Sequence, residues 1–126
     1  MTDSPMMATA TALYSFWSSF GIPAYPEGYA PENAVEPYIT YELKKPNWSE
    51  LTVCTSRVWY RSKSYVDITE KIDEIGDRIG EGVLIPCGDG FIQLFKDAEF
   101  VQFQPYEADD SVKVAYLSMI MENNNN

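Results

Sequence analysis

Pro37-Tyr38-Ile39-Thr40-Tyr41-Glu42-Leu43 is the stretch whose reading decides the fold. In an extended chain Ile39, Tyr41 and Leu43 share one face, and Tyr38, Thr40 and Glu42 share the other. Alternation built from β-branched and aromatic residues marks a half-buried strand. Pro37 suits the first position of such a strand, where no ladder donor is needed. Taken as the first strand of a sheet, the stretch has a helical segment and a Pro-rich crossing before it. A second strand, an amphipathic helix and further strands come after it.

Upstream, Ser4-Pro5 reads as a helix start, with Ser as the cap and Pro at the first helical position. Met6, Ala10, Leu13, Trp17 and Phe20 then recur at the spacing of one helical face. Tyr14 and Phe16 lie off that stripe, so the helix is apolar over more than one face, either for a broad core contact or for meeting another subunit. Gly21 is placed to cap the helix, and Pro23 prevents its continuation. Residues 21–36 carry Pro23, Pro26 and Pro31 among Tyr25, Gly28 and Tyr29, a spacing that disfavours helix and strand alike. An ordered crossing held by its two tyrosines is expected.

Downstream, Lys44-Lys45-Pro46-Asn47 is turn chemistry. Trp48 then leads into a strand over residues 51–62. Leu51, Val53 and Thr55 alternate with polar neighbours before the apolar parity moves to Val58 and Tyr60, which predicts a β-bulge near Ser56-Arg57. Trp59 is expected in the core and Trp48 at an interface. Asp67-Ile68-Thr69-Glu70 resembles a capping box. Ile68, Ile72, Ile75 and Ile79 form one stripe of an amphipathic helix, closed by Gly80 and Gly82. Val83-Leu84-Ile85-Pro86 and Phe91-Ile92-Gln93-Leu94-Phe95 flank Cys87-Gly88-Asp89-Gly90 as a hairpin, whose tip is a candidate projecting contact. Residues 100–104 make a further strand, with Val101 and Phe103 on one face. Glu107-Ala108-Asp109-Asp110-Ser111 is a polar turn, residues 112–122 the last and longest strand, and 123–126 a frayed tail. The order predicts a single α+β domain over 1–126: a mostly antiparallel sheet with two main helices packed on one face.

Composition narrows the function. The chain has 126 residues, and its apolar content of 45% suits a folded domain. It lacks a run of about 18 apolar residues, so no membrane span is expected. Met1-Thr2-Asp3-Ser4-Pro5 lacks the basic start of a secretory leader, which predicts a cytosolic site of synthesis and assembly. The net charge of −10 and the scattered basic residues argue against nucleic-acid binding. Without histidine, and with only Cys54 and Cys87, a Cys/His zinc site within one chain is excluded, and so are the usual catalytic triads. Asp109-Asp110 with Glu107 could pass for half a metal site, but an acidic pair in a turn is more often simply solvated. Cys87 has no basic neighbour in sequence to activate it. Gly80-Glu81-Gly82 and Gly88-Asp89-Gly90 lack the Lys-Ser/Thr of a phosphate loop. No catalytic, cofactor or metal residue is assigned, and an enzyme is not expected.

The order of elements resembles the small tail-terminator, or tail-completion, proteins of long-tailed bacteriophages and prophages. The likeness runs through Trp17-Ser18-Ser19-Phe20-Gly21-Ile22-Pro23, the Pro-rich crossing, Pro37-Tyr38-Ile39-Thr40-Tyr41 and Val58-Trp59-Tyr60. It continues through the isoleucine helix and the closing strand after Asp109-Asp110. It rests on order and aromatic punctuation over nearly the whole chain, without a chemical signature.

The resemblance implies a viral structural protein that forms a hexameric ring on the tail tube, ends its polymerisation and meets the head connector protein. It implies an antiparallel sheet packed by helices, no cofactor, and a place at the neck end of the virion tail after assembly in the host cytoplasm. Related neck and head-completion proteins share this pattern. A ring subunit needs two different faces that meet heterologously. Tyr14, Phe16, Tyr25, Tyr29 and Trp48 are the candidate interface residues, since Tyr and Trp are enriched at interfaces. An acidic lumen would let DNA pass without specific binding. The alternative is a small acidic regulatory or inhibitor protein that binds a host partner, for instance as a DNA mimic.

Overall fold

The computed structural model describes residues 5–44 and 50–123. Ser4 as a cap, the turn at 45–47 and Trp48 lie outside the described residues. Helix α1 (Pro5–Ser18) is followed by strands β1 (Ala24–Pro26), β2 (Tyr38–Tyr41) and β3 (Leu51–Arg61). Helix α2 (Val66–Ile79) and strands β4 (Val83–Cys87), β5 (Gly90–Pro105) and β6 (Val112–Asn123) complete the chain. The strands form one curled six-stranded sheet in the order β1-β2-β3-β6-β5-β4, antiparallel except for the β1–β2 pair. The expected α+β architecture, with both helices on one face, is what the chain adopts.

Because side chains alternate across a strand, the register sorts each residue to one face. Ile39 pairs with Val58, and Val58 with Ala115; all three lie on the concave face beneath the helices and are fully buried. Tyr41, Cys54, Leu117, Met119 and Met121 extend that face, joined by Ile85, Ile92 and Leu94 from the β4–β5 hairpin. Helix α2 lays Ile68, Ile72, Ile75 and Ile79, all buried, onto β3, β6 and β5. Its Gly76 allows a close approach: a Cβ there would stand 3.4 Å from the Phe100 ring. Helix α1 covers β4 and β1. Leu13, Trp17 and Phe20 of its expected stripe are buried, whereas Met6 is exposed; Thr9, Ala12 and Phe16 complete the buried face instead. The Trp17 ring lies nearly parallel to that of Tyr41, with centroids 6.3 Å apart.

Several boundaries differ from the sequence reading. The Pro-rich crossing contains β1, which pairs in parallel with β2, so the opening stretch is the second strand. Pro26 ends this edge strand, and the Glu27 N–H that follows it donates to the Tyr41 carbonyl at 2.7 Å. Leu43 lies beyond β2 and is exposed. No bulge interrupts β3, whose register with β6 runs unbroken from Leu51 to Arg61. The even positions Cys54, Ser56 and Val58 point inward throughout, so Leu51 and Val53 are exposed apolar residues on the convex face.

The irregularity falls in β5, where residues 97–100 lie opposite Ser118 between the pairs Lys96–Met119 and Val101–Leu117. Residues 100–104 therefore belong to β5, which at 16 residues exceeds the 12 of β6. Tyr65, not Asp67, is the N-cap residue of α2, and it makes no side-chain cap bond; Asp67 sits in the first turn. The hairpin closes at the Cys87–Gly90 pair, with Gly88 at φ 59°, a conformation that favours glycine. Asn123 ends β6 with 1% exposure, so it is not part of a frayed tail; 124–126 lie outside the described residues.

Two substitutions test this core. Ile75→Ala should lower unfolding free energy by about 2–5 kcal/mol in urea titrations. The Ser56 hydroxyl is buried on the same concave face without a hydrogen-bond partner among the described residues. Ser56→Ala should therefore raise stability by about 1 kcal/mol. A loss on Ser56→Ala would show that the hydroxyl is satisfied.

Candidate functional surfaces

Since both helices cover the concave face, the convex face of the sheet is the larger open surface, and two zones divide it. At the β1-β2-β3 end, register places Tyr25, Tyr38 and Trp59 on one face of adjacent strands, with Tyr38 directly opposite Trp59. Tyr25 meets Tyr38 edge-on with ring centroids 6.0 Å apart, Tyr38 stacks on Trp59 at 5.8 Å, and Tyr106 meets Trp59 edge-on at 5.7 Å. Trp59 Nε1 donates to Thr40 Oγ1 at 3.1 Å, and this bond fixes the indole. Next to this row, the Arg57 guanidinium lies 4.7 Å over the Tyr116 ring and 3.3 Å from the Glu27 carboxylate. Trp59 is thus half-buried in a convex aromatic row rather than part of the core beneath the helices. The inward parity of Val58 and Tyr60 already implies this outward place for Trp59; the core expectation rested instead on the general tendency of Trp to be buried.

The second zone is apolar. Val53, Ile120 and Phe95 share one rung across β3, β6 and β5. Leu51, Glu122, Gln93 and Leu84 share the next, with Phe91 and Pro86 beyond. Leu51, Val53, Leu84 and Phe91 are exposed. Between the zones, the β5 interruption opens a depression of about 430 Å³. Thr55, Asp97, Glu99, Gln102, Tyr116 and Ser118 are among its lining residues. Asp97 Oδ2 accepts from Ser118 Oγ at 2.9 Å, which ties the interruption to β6. This lining can accept hydrogen bonds from a polar or cationic group.

The five candidate interface residues do not converge. Tyr14 is 54% exposed on the outward side of α1, and Tyr29 is 78% exposed in the turn after β1. Tyr25 is half-buried against Tyr38 on the convex face. Phe16 is only 4% exposed and packs edge-on against Trp17 at 5.0 Å and Phe20 at 5.4 Å, so it serves this chain's own core and offers no contact surface. Trp48 is outside the described residues.

The acidic turn has a structural task. Asp109 Oδ1 accepts from the Ser111 backbone N–H and hydroxyl at 2.9 and 2.7 Å, while Oδ2 accepts from Arg61 at 2.9 Å. Arg61 also pairs with Glu36 at 3.0 Å and so links the crossing, β3 and this turn. The Ser111 bonds first, then Arg61, hold the Asp109 carboxyl down at about 2. Among the described residues, no group of three or more His, Cys, Asp or Glu side chains is placed to hold a metal ion. Both cysteines are buried, and the Thr9 hydroxyl lies 3.8 Å from Cys87 Sγ. Burial, with Glu42 nearby, pushes the Cys54 thiol up to about 12.

Compared with known proteins, the chain matches no family model, no curated protein and no solved structure. Among the described residues, no helix is long and apolar enough to cross a membrane.

The depressed Asp109 value carries a pH signature. A carboxyl whose folded value lies below its unfolded value of about 3.9 contributes stability above that pH and loses it as pH falls through about 2. An NMR titration of the side-chain carboxyl should therefore show a midpoint near 2. Ser111→Ala should move it upward, and a native midpoint already at the unfolded value would contradict the network.

Proposed function

We propose that this chain is a structural subunit of a long-tailed phage or prophage, one that caps the tail tube as a ring, ends its polymerisation and joins the tail to the head connector. The observation that carries the reading is the convex sheet face, where Leu51, Val53, Leu84 and Phe91 are exposed on the side the helices leave open. Apolar side chains gathered on one face mark a surface that meets another protein. The element order, with its aromatic punctuation, supports the same assignment.

The charges fit a tube through which DNA moves. Asp67, Glu70, Asp73, Glu74 and Asp77 are exposed along α2, opposite its buried isoleucines. Turned toward a channel, this face would repel phosphates and let DNA slide past without specific contacts. In this reading the partners are further copies of the chain, the tail tube protein and the head connector protein. The site of action is the neck end of the virion tail, reached after assembly in the host cytoplasm.

The same row of carboxylates also suits a second reading, an acidic regulatory or inhibitor protein that presents α2 to a host partner. The two separate in one experiment. Purified tail tubes incubated with the protein and viewed by electron microscopy should carry extra density at one end only, and their growth should stop. No binding, or binding along the tube wall, would favour the regulatory protein.

A further inference from the structure

Helix α1 is unusual in this acidic chain, because Pro5–Ser18 contains no charged residue. Its buried side faces the sheet, while Met7, Thr11, Tyr14 and Ser15 are exposed on the opposite side. The apolar strip of Leu51, Val53, Leu84 and Phe91 lies on the other side of the sheet from this helix. The molecule therefore carries two weakly charged surfaces that point away from each other.

We propose that these two surfaces bind each other between copies: the outward side of α1 in one copy docks across the convex apolar strip of the next. The inference deepens the ring reading above and rests on it for repetition of the contact around a ring.

Charge selects the occupant. Two chains of net charge −10 repel, so copies meet most readily through surfaces that place few charges in opposition. Dimensions agree as well. At ~1.5 Å per residue the 14 residues of α1 span about 21 Å. The strip crosses β4, β5, β6 and β3, three strand spacings or about 14 Å. One helix laid across the strands covers it with about a turn to spare.

The polar residues of the strip also choose between arrangements. Glu122 and Gln93 sit in the middle of the rung between Leu51 and Leu84. Two sheets packed back to back about a two-fold axis would bring Glu122 toward its own copy. The α1 side instead offers the hydroxyls of Thr11, Tyr14 and Ser15 as donors to Glu122 and Gln93, with Met7 for the apolar flanks. Met and Tyr are the side chains expected at the centre of such a contact. A helix-to-sheet contact is heterologous, so it repeats from copy to copy and closes into a ring when the rotation per step allows.

Cysteine cross-linking of the full chain tests the contact directly, since both native thiols are buried. Tyr14→Cys and Val53→Cys proteins are mixed at millimolar concentration and mildly oxidised. The expected dominant product is the mixed disulfide dimer, with little cross-linking in either protein alone. Adding Leu51→Glu to the Val53→Cys chain should abolish that product. A Val53→Cys homodimer as the main species would overturn the proposal in favour of back-to-back sheets. Absence of any cross-link from properly folded variants would also overturn it. The tail-tube experiment reads end capping independently: cross-linking failure with end binding intact removes this contact and leaves the capping function standing.

Discussion

Burial of the α2 isoleucine stripe in the concave face of the curled sheet is the interaction on which the rest of the structure depends. Ile68, Ile72, Ile75 and Ile79 meet a surface built from alternate residues of three strands, including Val58, Leu117 and Met119. Each such side chain contributes roughly 1.5–3 kcal/mol on burial. The contact also fixes which face of β3, β5 and β6 points inward, because a slip of one residue would exchange the faces. With α1 covering the β4 and β1 margins of the same face, one continuous core results. The other face of the sheet is then left open, and the functional reading follows from that asymmetry.

The open face is not uniform. Its aromatic row, from Tyr25 through Tyr38 and Trp59 to Tyr106, is locked ring against ring and by the Trp59–Thr40 hydrogen bond. Tyr25, Tyr38 and Trp59 are half-buried by these contacts, and Tyr106 is exposed at the end of the row. Among the described residues, the apolar strip from Leu84 to Val53 has no such internal coverage, and Leu51, Val53 and Leu84 are exposed. The acidic side of α2 and the uncharged side of α1 complete a molecule whose surfaces differ sharply in chemistry. Such a division is what the proposed ring requires, where each face meets a different environment.

Much of this was legible in the sequence. The isoleucine spacing identified α2 and its buried face without ambiguity, and alternation identified Ile39 and Tyr41 as inward residues of β2. The β4–β5 hairpin was legible from its glycines, and the last strand from its polar boundary turn. Less visible was anything decided by pairing between distant segments. β1 exists because Ala24 and Tyr25 find partners in β2, despite the prolines around them. In β3 the inward residues Cys54 and Ser56 are less apolar than the outward Leu51 and Val53, so hydrophobicity alone suggested a bulge that is absent. Phe16, read as a candidate contact, is buried because the inward face of α1 is broader than a single stripe. The candidate surfaces were therefore legible as residue types but not as places.

The central claim is that copies of the chain associate through weakly charged, apolar surfaces against their mutual repulsion. Light scattering behind size exclusion, over a wide protein concentration range at low and high salt, tests it most directly. Salt screens the repulsion between acidic chains, with a Debye length of about 10 Å at 0.1 M, and leaves apolar contacts intact. The account predicts association that strengthens with salt and stops at one closed size. A strict monomer at every concentration and salt, or association that weakens as salt is added, would contradict it.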